Sequence, residues 1–133
     1  MKTTALIEMG KDGTFGVYTP NIDATIIGDG ATVAEAKADF ENSVSEMIAS
    51  YTENGEEIPK ELQGITFVYR YDIASFLNHY KLINMSCLAD IAGINHSLMR
   101  QYKKGQYISE KRVKKIQDAI HSIGRELAEI ELF

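Results

Sequence analysis

The sequence predicts an α+β chain in two parts: β-β-β-α-β over residues 1–71, then an all-α helix-turn-helix arrangement over residues 72–133. Three observations carry this. Short β-compatible runs bounded by glycine and proline fill residues 2–27 and return at 64–71. Between them, and again through the second half, apolar residues recur at steps of three and four, the helical period. Gly93 separates two short helical patterns at the point where the chain must turn with positive φ.

The first strand is expected over Lys2 to Met9 and the second over Thr14 to Thr19, joined by Gly10-Lys11-Asp12-Gly13 as a hairpin turn. Pro20 interrupts the pattern, a third short strand runs from Ala24 to Ile27, and Gly28-Asp29-Gly30 closes it as a turn. Thr32-Val33-Ala34-Glu35 has the form of a capping box, the hydroxyl accepting from the backbone while the carboxylate reaches back. Val33, Ala36, Phe40, Val44, Met47, Ile48 and Tyr51 then line one face of a helix that should cover the sheet. Asn54-Gly55 ends it, a polar connection containing Pro59 follows, and Gly64 to Tyr71 forms the fourth strand.

Asp72 is placed to cap a helix from Ile73 to Tyr80, with Ile73, Phe76, Leu77 and Tyr80 on one face. In the next helix Leu88, Ala89 and Ala92 point inward, and Ile94 packs into the corner beyond Gly93. Asn95 caps a further helix in which Leu98, Met99 and Tyr102 face the core, leaving His96, Ser97, Arg100, Gln101 and Lys104 outside. That polar face is where a recognition helix meets base edges and phosphates, with Arg100 suited to guanine, Gln101 to adenine, and Lys103, Lys104 and Lys111 to phosphate. Ser109 caps a last long helix, whose stripe Val113, Ile116, Ile120, Ile123, Leu127 and Ile130 outruns a small domain. Its C-terminal half is expected to pack on a second copy, giving a homodimer or higher oligomer.

Charge divides in the same way. The chain carries −5 overall, yet Asn95 to Lys115 holds seven basic residues against one acid, Glu110, whereas residues 1–71 hold five basic and twelve acidic side chains. No apolar run approaches the ~20 residues that span a bilayer, and the first residues lack a signal-peptide core, so a cytoplasmic protein is expected. The single cysteine, Cys87, cannot form an internal disulfide and is expected as a small core or boundary residue. His79, His96 and His121 share no ligand spacing, no glycine loop cradles phosphate, and the glycines at 10, 13, 28 and 30 are assigned to turns; no metal, cofactor or enzyme activity is expected.

The N-terminal half resembles the HicB family of antitoxins. Tyr18-Thr19-Pro20-Asn21-Ile22 is similar to the family's aromatic-x-Pro-Asp-Leu turn, Gly30 to Ala36 to the Gly-Asp-Thr-x-x-Glu-Ala that opens its helix, and Asn54-Gly55-Glu56-x-Ile58-Pro59 to its helix exit. Where the family usually has Pro-Gly after the turn, this chain has Asp23-Ala24. The remainder, with Gly-Ile-Asn-x-Ser-Leu-x-Arg-Gln-Tyr at 93–102, looks like the Cro/repressor-type domain that some HicB proteins carry.

The resemblance implies a reduced ribonuclease H-like domain over 1–71 that binds a HicA-like ribonuclease toxin, and a helix-turn-helix over 72–133 that binds operator DNA and represses the shared operon. An acidic domain would steer a cationic toxin, with Asp39, Glu46 and Glu53 on the first helix as candidate contributors or as a solvated face. Nuclease chemistry would need carboxylates converging on metal ions, and Asp12, Asp23, Asp29 and Glu35 are expected in turns or at a helix start. The alternative is a stand-alone transcription regulator whose first domain senses a ligand or oligomerises.

Overall fold

All 133 residues are described in a computed structural model, which is α+β with one four-stranded sheet and five α-helices. Two compact units make up the chain, Met1–Ser75 and Phe76–Phe133. In the first, strands β1 (Lys2–Met9), β2 (Phe15–Tyr18) and β3 (Ile27–Gly30) precede helix α1 (Val33–Glu53), and β4 (Thr66–Tyr71) follows a 3-10 turn at Lys60–Leu62. The spatial order is β3-β2-β1-β4, with β1 antiparallel to β2 and parallel to β4. A parallel pair needs a long crossover, and α1 supplies it.

Alternation along β1 buries Thr3, Ala5 and Ile7 while Lys2 and Glu8 stay exposed. Ala5 and Ile7 share one core with Phe15, Val17, Ile26, Leu62 and, from α1, Ala36 and Phe40. Helix α1 begins as its sequence requires: Thr32 Oγ1 accepts from Glu35 N at 3.1 Å, and Glu35 Oε2 accepts from Ala31 N at 3.0 Å. Val44, Met47 and Tyr51 pack against the core from farther along the helix but are only partly buried.

The third strand departs from expectation. It runs from Ile27 to Gly30 and not from Ala24 to Ile27, because side chains take the backbone groups of the earlier segment. Thr19 Oγ1 donates to Ala24 O (2.9 Å) and accepts from Ile26 N (3.3 Å), while the Glu61 carboxylate accepts from Asp23 N (3.2 Å) and Ala24 N (3.1 Å). Gly28 and Gly30 accordingly lie within the strand, not in a closing turn, and their role is close approach: a Cβ on Gly28 would collide with the Phe40 backbone, and one on Gly30 would stand 2.5 Å from Ala36 N. Asp29, expected in a turn, is a strand residue exposed to solvent. No three His, Cys, Asp or Glu side chains gather into a metal-holding group.

Tyr69 on β4 donates to Glu41 Oε1 of α1 at 2.8 Å, and Lys37 Nζ lies 4.7 Å from the centre of its ring. Burial, then the Glu41 hydrogen bond and charge, push its phenol up to about 12. A phenol raised in the folded state adds stability below its unfolded pKa of about 10, and loses it as pH rises through the folded value. Ultraviolet titration should therefore show one tyrosine ionising near 12, with stability falling between about pH 10 and 12; Glu41→Gln should bring that transition down.

Helix α2 (Ile73–His79) starts where Asp72 Oδ2 accepts from Ser75 N (3.0 Å) and Ser75 Oγ (2.8 Å), and Ser75 Oγ in turn accepts from Met9 N (2.9 Å). It stops before Tyr80, which is exposed. The second unit continues with α3 (Met85–Ala92), α4 (His96–Lys103) and α5 (Glu110–Ala128). Leu77, Leu88, Ala89, Ala92, Ile94, Met99, Tyr102, Ile116 and Ala119 are its buried residues. Cys87 is not among them: Leu88, Ala89 and Ala92 turn inward, and the helical period sends Cys87 to solvent. No helix is long and apolar enough to cross a membrane.

Candidate nucleic-acid interface

The site is built on the turn between α3 and α4. Asn84 caps α3, its Oδ1 accepting from Cys87 N at 3.0 Å. At the other end Gly93 takes φ 69° and ψ 37°, the left-handed conformation that closes a helix at little cost only for glycine. Ile94 N then donates to Ala89 O at 2.9 Å, and the Ile94 side chain is buried in the corner. Asn95 caps α4 at once, Oδ1 accepting from Ser97 N at 2.8 Å. Three residues, Gly93, Ile94 and Asn95, thus separate α3 from α4, and the turn direction is fixed by backbone chemistry rather than by loop length.

Behind α4, Met99 and Tyr102 are 1% and 2% exposed and hold the helix to its unit. Leu98 is half-buried. Tyr102 Oη also accepts from Arg112 Nη1 of α5 at 3.1 Å, which assigns Arg112 a packing contact. In front, Ser97, Arg100, Gln101 and Lys104 recur at steps of three, one and three residues and are all exposed, forming one side of α4 and its C-cap. Arg100 Nη2 donates to Ser97 Oγ at 3.1 Å, which holds the guanidinium along the helix surface.

Other candidates have different positions. Asn95 spends its side-chain oxygen on the cap, so its part is to set the start of α4. His96 Nε2 lies 2.7 Å from Asp90 Oδ1, tying the first turn of α4 back to α3. Lys103 is half-buried and its carbonyl accepts from Asn78 Nδ2 at 2.9 Å, while Lys111 is exposed in the first turn of α5. Sequence reasoning missed the Asp90–His96 pair, which an i to i+6 spacing across a turn does not announce. It also missed Tyr107, 87% exposed in the connection between α4 and α5 amid the basic segments.

Chemically the outer side of α4 offers a planar guanidinium, a carboxamide, a hydroxyl and an ammonium in one row. Nearby on α5, Lys114 Nζ is paired with Asp118 at 3.1 Å, and Lys111 and Lys115 are exposed. The molecule is thus an α+β protein whose helical unit presents a basic, hydrogen-bonding helix face. No protein-family model, curated protein or solved structure matches the chain.

Proposed function

We propose that this chain is a cytoplasmic antitoxin of the HicB kind, whose helix-turn-helix unit binds operator DNA to repress its own operon and whose reduced ribonuclease H-like first unit binds and neutralises a HicA-like mRNA-cleaving toxin. The observation that carries the DNA-binding half is the exposure of Ser97, Arg100, Gln101 and Lys104 on a helix anchored by buried Met99 and Tyr102 and entered through the left-handed Gly93. A net-acidic chain with seven basic residues and one acid between Asn95 and Lys115, Arg100 and Lys104 among them on this face, fits a protein that must approach phosphate with one unit only. For the antitoxin half, the β-β-β-α-β order with β1 parallel to β4 supports the family resemblance, and the acidic balance of residues 1–71 suits a cationic partner.

One experiment with two arms tests both halves. Co-expression with the product of the adjacent small gene should restore growth and yield a complex at moderate salt. Fluorescence anisotropy with the duplex upstream of the chain's own coding sequence should show tighter binding than to a scrambled duplex. Failure of the first arm with success of the second leaves a stand-alone regulator; failure of both removes the assignment. In the same assay Lys104→Ala should weaken specific and scrambled duplexes alike and flatten the salt dependence by about one counterion.

A further inference from the structure

Lys2 and Arg70 are two of only five cations in residues 1–71, set among twelve acids, and neither has an ion-pair partner within the chain. The sheet brings them together. In the parallel pairing of β1 with β4, Lys2 lies opposite Thr66, Thr4 opposite Val68 and Leu6 opposite Arg70. Thr3, Ala5 and Ile7 are the buried set of β1, and Phe67 and Tyr69 of β4 meet Phe40 of α1, so by alternation Lys2, Thr4, Val68 and Arg70 share the face turned away from α1. Four residue levels, about 13 Å along the strands, separate the two cations, a gap that long side chains reaching toward each other can close on a small anion.

A cavity occupies that gap. It measures about 390 Å³, with walls that include Lys2, Thr4, Val68 and Arg70 from the strands and Asn21 and Ile22 from the segment after β2, and no Asp or Glu lines it. Its charge is thus opposite in sign to that of the unit around it. Glu8, the acid of β1 on the same face, is engaged elsewhere, its Oε1 accepting from Tyr18 Oη at 3.1 Å. A guanidinium fork, an ammonium, a hydroxyl and a carboxamide therefore converge beside half-buried Ile22 and Val68. Convergent polar groups on a partly apolar wall make a small-molecule site, and the cations choose an anion.

We propose that this cavity binds a small organic oxyanion, a phosphomonoester or a carboxylate. Arg70 grips the anionic group through its planar fork, Lys2 supplies the second charge, Thr4 and Asn21 donate from the sides, and a short apolar body lies on Ile22 and Val68. The site lies wholly within Met1–Ser75 and needs neither DNA nor a toxin, so it goes beyond both halves of the function proposed above. A cationic protein partner is of the wrong sign for it.

Amide spectra of the full chain, titrated at constant ionic strength with butyl phosphate and with valerate, test it, with butanol as the uncharged control. Shifts should cluster at Thr4, Asn21, Ile22 and Arg70 and saturate, and the tighter of the two anions names the oxyanion. Arg70→Gln and Lys2→Gln, both at exposed positions, should each weaken binding by about tenfold or more with unchanged circular dichroism. Arg70→Lys should keep part of it, having the charge without the fork. Shifts that fail to saturate, saturation confined to residues 95–115, butanol acting as the anions do, or glutamine variants that bind as the wild type does would each overturn the proposal. Arg70→Gln should leave operator affinity unchanged, so failure of this site and failure of the DNA assignment are read separately.

Discussion

Phe40→Ala should cost the first unit about 3–5 kcal/mol, the range for emptying a fully buried aromatic site. The ring is 0% exposed and stands edge-on to Phe67 (centroids 4.9 Å apart, planes at 80°) and to Tyr69 (6.2 Å, 75°). Both partners lie on β4, so the substitution removes the ring contacts that bind α1 to that strand. Urea titration followed by amide resonances of residues 1–75 measures the loss in this unit separately; a cost under about 1 kcal/mol would show that the site collapses around alanine. Gly28→Ala attacks the same junction from the sheet side. Its methyl would meet the backbone of residue 40 as well as the side chain, so Phe40→Ala should not rescue it.

Arg100→Ala should narrow the preference for the upstream duplex over scrambled DNA by about 1–3 kcal/mol, the worth of one bidentate base contact. The guanidinium is exposed on α4, braced by Ser97 Oγ, and has no carboxylate partner to compete for it. The contrast with Lys104→Ala is the discriminating observation, since a phosphate contact loses affinity on every sequence and a base contact loses selectivity. Equal losses on both duplexes for both variants would exclude α4 as a reading helix. Arg100→Lys should recover affinity better than selectivity, because an ammonium replaces the charge but not the planar fork.

Much of the local structure could be read from residue pattern, because it is decided by short-range chemistry. Thr32 with Glu35, Asn95, Ser109 and Gly93 each declare a helix end through one hydrogen bond or one backbone angle, and those ends are where the sequence puts them. The buried sides of α3 and α4 follow equally well from helical spacing. What could not be read depends on contacts distant in sequence. Glu61 reaches back 37 residues to Ala24, and that contact takes the segment out of the strand. Gly28 and Gly30 look like turn residues until the closeness of α1 is known. In the candidate site, the outward residues of α4 were legible, but the engagement of His96 by Asp90 and the exposure of Tyr107 required the fold.

The Glu61 contact also shapes how the first unit breathes. Amides of Asp23, Ala24 and Ile26 lie outside any strand, yet each donates to a side-chain oxygen, so hydrogen exchange there should be slower than in an ordinary surface connection. The clasp joins the segment before β3 to the connection after α1, so the two stretches are expected to open as one. Glu61→Gln, keeping one carbonyl acceptor where a carboxylate offered two, should speed exchange at Asp23 and Ala24 together while leaving β1 unaffected. A surface loop in this protein thus reports the local opening of a crossover that lies more than thirty residues away along the chain.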